Sequence, residues 1–292
     1  MTNGRISDQL RYMTVRILTS QNQTTNWTGT GTGFLYYFNK DEIIAPLLVT
    51  NKHVIDGAQV IGLNFHVTLD NNETPLPGSG RLITFSVDQV PIIRHPDPNV
   101  DLAAIAVAPL LEHAGTNEGW QPYIKCLDKT HLPSTEMMAD FGSLEDIVMV
   151  GYPTGLVDAV NNFPVVRRGI TSTPYTADYQ GKREFLADIP VYGGSSGSPI
   201  FVVNEGSYST ANALVMGTRF ALIGVLYAGH TETMNGQIVA EPVPTNLAPV
   251  AKVTHMINLG LCIKSWAPPL TVDFGQAASI CALQAPDRCI SG

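Results

Sequence analysis

Three short runs hold the residue types that acyl-transfer chemistry needs. Gly194-Ser195-Ser196-Gly197-Ser198-Pro199 lies between the apolar, strand-like runs Phe185–Tyr192 and Ile200–Val203. Glycines beside a serine let the backbone approach a substrate closely, and neighbouring N–H groups can face a developing oxyanion. A serine hydroxyl is a weak nucleophile at neutral pH, so it needs a general base, usually histidine, and that base needs an orienting acid. Of the seven histidines, His53 has the strongest context. It ends the run Leu47-Leu48-Val49-Thr50-Asn51-Lys52-His53, and the end of a strand is a rigid mount for a base. His66 alternates within a strand-like run, His95, His113 and His131 lie in polar stretches, and His255 falls on a helix candidate. For the acid, Asp101 opens the apolar run Asp101–Val107. The competing Asp97 is held in a loop by Pro96 and Pro98. Each run alone has an ordinary structural reading: a Gly/Ser turn, a strand-terminal histidine, a strand-start aspartate.

The elements that must position these residues are short and β-like. Runs rich in Val, Ile, Phe, Tyr and Thr recur between Gly, Pro, Asn and Asp: 13–18, 33–38, 47–50, 59–67, 81–87 and 102–107, then 146–152, 164–172, 184–189, 199–203, 219–227 and 236–241. About six fall in each half, the pattern of two barrels or sandwiches. The polar stretch from Leu111 to about Glu145 reads as the connection between them. In Asn246–Ile263 the residues Leu247, Val250, Val253, Ile257 and Leu261 approach a helical period, with Asn246 as cap and Pro268-Pro269 as stop.

Composition narrows the classes. The chain has 292 residues, 44% hydrophobic and 14% charged, enough to bury a core and unlike a disordered chain. A formal net charge of −8 without a dense Lys/Arg run argues against nucleic acid as a partner. Arg167-Arg168 and Lys182-Arg183 read as ordinary surface charges. No basic-then-apolar leader opens the chain and no run of about 18 apolar residues follows. The expectation is therefore no membrane partner and a cytoplasmic protein, or a secreted one if a leader has been removed. The cysteines Cys126, Cys262, Cys281 and Cys289 form no CxxC pair, so no metal or other cofactor is expected; buried free thiols or a disulfide in the tail remain open.

Taken in order, Thr50-Asn51-Lys52-His53-Val54, Asp101-Leu102-Ala103 and Gly194–Pro199 resemble the chymotrypsin-like (trypsin-fold) serine endopeptidases. Their bacterial branch of glutamyl endopeptidases and HtrA-type proteases is more similar still, for the protease core only. Gly29-Thr30-Gly31-Thr32-Gly33-Phe34 resembles the glycine-rich strand before the catalytic histidine. Gly151-Tyr152-Pro153-Thr154-Gly155 resembles a turn of the second barrel, and Arg168-Gly169-Ile170 the strand across from the substrate. Tyr227-Ala228-Gly229 is similar to the strand that pairs with bound peptide. The likeness covers about residues 10–264.

The resemblance implies an all-β protein of two six-stranded antiparallel β-barrels with a C-terminal helix. Residues 1–112 would carry His53 and Asp101, 113–145 would connect, 146–265 would carry Ser196, and 266–292 would form a tail. It also implies that Ser196 attacks a peptide bond, His53 moves the proton, Asp101 orients His53, and the N–H groups of Gly194 and Ser196 form the oxyanion hole. A protein or peptide substrate would lie beside Tyr227, Ala228 and Gly229, with a side-chain pocket about Pro190–Gly194 and Leu226–His230. Pro190 and Leu226 stand where relatives carry charge-reading residues, which points to an uncharged side chain before the scissile bond. Ser195 stands where animal relatives carry an aspartate that pairs with a newly cut N-terminus, so no such activation switch is expected. Nothing after Ile263 is long enough for the peptide-binding domain of HtrA-type enzymes. A protease of this kind in a cytosol would need restraint by a regulatory partner or a loop. The alternative reading is a catalytically silent, protease-like peptide-binding module. A serine esterase on an α/β sheet would place serine before acid and histidine, which is not the order here.

Overall fold

The computed structural model describes residues 5–40, 43–70, 72–153, 158–210, 212–237 and 250–265. The first part of the chain supplies β1 (Thr14–Ser20), β2 (Gly29–Lys40), β3 (Ile43–Thr50), β4 (Val60–Thr68), β5 (Pro75–Ser86), β6 (Ile92–Arg94), β7 (Ala103–Ala106) and β8 (Gln121–Tyr123). They pair in the order β5-β4-β1-β2-β3-β7-β6, with β8 also on β4. The second part supplies β9 (Asp146–Gly151), β10 (Val165–Thr171), β11 (Glu184–Asp188), β12 (Pro199–Asn204), β13 (Ser207–Ser209), β14 (Leu214–Met216), β15 (Arg219–Gln237) and β16 (Val250–Lys264). Six of them close into a barrel, β10-β11-β16-β15-β12-β9. Short helices punctuate the strands: α1 (Ile6–Gln9), α2 (Lys52–Ile55), α3 (Ala108–Thr116) and α4 (Thr135–Ala139).

The chain is mostly β, as its composition predicts, and its second half closes as expected. The first sheet is an open path among the described residues, with β5 and β6 at its ends. Pro91, just before β6, lacks an amide hydrogen, and β6 is only three residues long, so little ladder is available to close the path.

The expected C-terminal helix is a strand instead. β16 spans Val250–Lys264 and pairs antiparallel with β15 from Gln237↔Val250 to Gly224↔Lys264. Val250, Val253, Thr254 and Ile257 are β-branched and Gly260 is interior, a composition that costs more in a helix than in a ladder. The ladder with β15 supplies backbone partners over most of β16, which outweighs the approximate helical spacing. The expected connecting segment is also partly ordered: α3 crosses the 112–113 boundary and β8 rejoins the first sheet. Thr154 and Gly155 of the turn motif, residues 238–241 of the strand-like run 236–241, and the tail from residue 266 lie outside the described residues.

One apolar core fills the first sheet around Ile17, Phe34, Leu48, Leu63 and Ile105. It continues through Val150, Phe201, Leu222 and Val225 of the second part. A second core fills the closed barrel around Met149, Phe185, Ile200, Ile223 and Leu226. The shared apolar contact fixes the two sheets against each other, and the chemistry-bearing residues lie along that junction.

Candidate active site

β3 ends at Thr50, and the one-turn helix α2 follows immediately, so His53 sits on a helix rather than on the polar turn expected. Asn51 occupies the N-cap position of α2, yet its side chain does not cap the helix. Its amide donates instead to Asp101 O at 2.7 Å. The carboxylate of Asp101 serves α2 from across the sheet, accepting from His53 N at 3.1 Å through Oδ1. Its other oxygen, Oδ2, lies 2.5 Å from His53 Nδ1. Asp101 thus holds both the backbone and the ring of His53. The imidazole is half exposed, while the carboxyl is 24% exposed. Burial pushes the Asp101 carboxyl up, but hydrogen bonds from the His53 ring and from the backbone of His53 and Lys52 prevail and hold it below the ordinary aspartate range. Asp97, the competing acid, is turned away: its Oδ1 accepts from Asn99 N and Nδ2, and its carbonyl accepts from Lys52 Nζ at 2.8 Å.

The Gly194–Pro199 run forms a tight loop into β12. Gly194 and Gly197 have φ of 81° and 85°, the left-handed region that glycine enters without strain. At Gly197 a Cβ would also overlap Thr32 O and crowd Thr50 Oγ1, so the loop touches both strands that flank His53. Thr32 is the joint. Its N donates to Ser196 O at 2.9 Å, and its hydroxyl donates to Gly194 O at 3.0 Å. The same hydroxyl accepts from Tyr152 N at 2.9 Å, while Thr50 Oγ1 donates to Thr32 O at 2.7 Å. Thr32 is fully buried and belongs to the glycine-rich strand singled out in the sequence.

These bonds sort the loop amides into two sets. Ser195 N donates to Tyr192 O at 3.1 Å and Gly197 N to Leu226 O at 2.8 Å. Gly194 N and Ser196 N donate to no protein acceptor among the described residues. Two amides left free on alternate residues are what an oxyanion hole requires. Ser196 is half-buried, and among the described residues no hydrogen bond joins its hydroxyl to His53. Such bonds often form only when substrate is bound.

On the far side of the loop, Leu226 N donates to Ser198 O at 2.9 Å. The ladder between β12 and β15 ends at Pro199↔Val225, so from Tyr227 onward β15 is laddered on its β16 side only. The backbone of Tyr227, Ala228 and Gly229 therefore presents a partly exposed edge. The Tyr227 hydroxyl donates to Glu184 Oε2 at 3.0 Å; burial and then Glu184 raise its pKa. Leu226 is buried between Val191 and Gly260, where a Cβ on Gly260 would lie 2.7 Å from Leu226 Cδ1. Pro190 is half-buried.

Sequence reasoning missed three residues here. Thr32 and Asn51 lie inside motifs that were noticed for their glycines and their histidine. Arg167 is not the surface charge expected: it is half-buried on β10, with Nη1 2.6 Å from Pro190 O and Nη2 3.0 Å from Ser195 Oγ. Burial lowers the guanidinium pKa to about 10, so the group stays cationic at neutral pH. The signal was period two: Val165, Arg167 and Gly169 face inward, and Val166, Arg168 and Ile170 face outward. Among the described residues no group of three or more His, Cys, Asp or Glu side chains could hold a metal ion. Cys126 and Cys262 are free thiols.

The fold is similar to that of a protease from M. tuberculosis in its active form, at 15% identity over 93% of this chain and 83% of that one, with a TM-score of 0.45. It is also similar to catalytically inactive tobacco etch virus protease complexed with substrate, at 11% identity over 94% and 88%, TM-score 0.45. A third similar structure is the scabies mite inactivated protease paralogue, at 12% identity over 87% and 89%, TM-score 0.38. No curated protein matches the sequence. The sequence profile of the trypsin-like peptidase domain matches residues 31–208, the stretch that holds Thr32, His53, Asp101 and Ser196, and the chain belongs to that family.

Proposed function

We propose that this trypsin-like peptidase is a serine endopeptidase working through His53, Asp101 and Ser196. The observation that carries the reading is the contact of Asp101 Oδ2 with His53 Nδ1, set against a serine loop whose Gly194 and Ser196 amides are free. With Nδ1–H donating to the carboxylate, the lone pair of His53 lies on Nε2. Ser196 Oγ attacks the scissile carbonyl carbon and its proton passes to Nε2. The carbonyl oxygen becomes an oxyanion held by Gly194 N–H and Ser196 N–H. The intermediate collapses, the C–N bond breaks, and the amine leaves with the proton from Nε2. Water then repeats the sequence on the acyl-enzyme and frees Ser196. The protein or peptide substrate adds as a strand to the open edge at Tyr227–Gly229. Pro190 and Leu226, standing where relatives carry charge-reading residues, favour an uncharged side chain before the scissile bond. The sequence motifs favour the bacterial glutamyl-endopeptidase and HtrA branch for the protease core.

A fluorophosphonate probe tests this directly. The folded chain should be labelled at Ser196, and Ser196→Ala and His53→Ala should abolish labelling and lower kcat by about three orders of magnitude or more. A folded wild type that resists the probe and cleaves no member of a peptide library overturns the reading in favour of a silent peptide-binding module.

A further inference from the structure

A loop with two left-handed glycines in four residues must be restrained from outside if its amides are to keep one direction. Thr32 restrains it on the side of the first sheet. The opposite side is held by an arginine. Arg167 reaches from β10 and donates through Nη1 to Pro190 O at 2.6 Å and through Nη2 to Ser195 Oγ at 3.0 Å. The same hydroxyl lies 3.4 Å from Tyr192 N, while Ser195 N donates back to Tyr192 O at 3.1 Å. Ser195 is fully buried. Arg167 Nε is buried with no acceptor, and no carboxylate pairs with this guanidinium among the described residues.

A half-buried cation without a counter-ion is costly. Here the groups that meet the cation are those of the 190–195 segment. Two donors of one planar fork span the beginning and the end of that segment, a geometry a single ammonium does not reproduce.

We infer that Arg167 is a positioning residue for the peptidase reaction: its guanidinium braces Pro190 against Ser195 and so keeps the Gly194 and Ser196 amides turned toward the substrate carbonyl. A neutral serine at position 195 is then sufficient, because the charge that holds the loop comes from β10. The inference rests on the reading of Ser196 as nucleophile.

The test compares the full-length wild type with Arg167→Met, Arg167→Lys, Arg167→Ala and Ser195→Ala. Readouts are kcat and KM on a peptide substrate, the rate of fluorophosphonate labelling, and hydrogen exchange across residues 190–198. Arg167→Met should lower kcat and labelling about 10–100-fold, the scale of a misplaced catalytic group, with KM within about threefold. Exchange at the Ser195 and Gly197 amides should quicken while the strands stay protected. Arg167→Lys should recover only part of the rate. Millimolar guanidinium ion should speed labelling of Arg167→Ala and leave the wild type unchanged. Wild-type rates and exchange in Arg167→Met overturn the inference. If that variant does not fold, Ser195→Ala decides. It keeps the bond to Pro190 and should lose several-fold in kcat, and an unchanged kcat with unchanged exchange overturns the inference. A wild type that resists the probe overturns the nucleophile reading instead, and exchange in the variants then judges the brace by itself.

Discussion

Asp101 joins two jobs in one carboxylate. It orients the His53 ring through Oδ2 and fixes the first turn of α2 through Oδ1. Asp101→Asn would place an amide against Nδ1 and favour the wrong tautomer. We expect kcat to fall by about 10³–10⁴ with little change in KM, measured on the substrate that the wild type cleaves. The pKa of this carboxyl is lowered in the folded chain, so ionised Asp101 favours folding above the ordinary aspartate pKa. That contribution is lost as pH falls through the lowered value. Activity losses at mildly acidic pH therefore do not come from Asp101. At this scale much was legible. Residue type and flanking apolar runs singled out His53, Asp101 and the 194–199 loop, and the structure brings His53 and Asp101 into contact. Asn51 was not, because nothing local reveals that its amide crosses the sheet to Asp101 O.

At the scale of elements, β2 governs the site through one residue. Thr32 links β2 to β3, to the end of β9 and to two carbonyls of the serine loop. Thr32→Val keeps the shape but leaves Gly194 O and the Tyr152 amide without the hydroxyl. Losing two buried hydrogen bonds should cost about 2–4 kcal/mol in urea unfolding and slow the nucleophile further, whereas Thr32→Ser should stay within about 1 kcal/mol. The glycine-rich strand was legible as a motif, but its joint was not, since the partners on β9 and the serine loop are 120 to 164 residues away. β16 shows the opposite failure. Local spacing approached a helical period, while the antiparallel ladder with β15, the strand that precedes it, decides the conformation. Arg167 belongs to this scale too, because only membership in β10 turns it inward while Arg168 faces solvent.

For the whole molecule, stability depends on keeping a few polar groups neutral or paired inside the shared core. His66 on β4 is 4% exposed and packs edge-on to Tyr12 at 4.9 Å, with Phe163 at 5.7 Å. Burial, with Arg11 nearby, pushes its pKa down to about 4 from the ordinary 6.5. The folded chain therefore holds His66 neutral over a range where the unfolded chain protonates it. Stability should be fully present above pH 6.5 and decline as pH falls toward about 4. Thermal unfolding across pH 4–7 should show that slope, and His66→Phe should flatten it. A slope unchanged by the substitution would assign it to other groups.

The sequence by itself determined the mostly β class, most strand positions, the order histidine, aspartate, serine, and the family likeness carried by three short motifs. Those are local properties: residue type, alternation and the glycines that a tight loop requires. The tertiary structure decided what depends on partners outside each local run. It made 250–264 a strand, left the first sheet an open path among the described residues, turned Arg167 beneath the serine loop, and sorted the loop amides into those with a protein acceptor and those without one among the described residues. Backbone groups seek whatever partner folding brings within about 3 Å, and only the assembled fold says which partner that is.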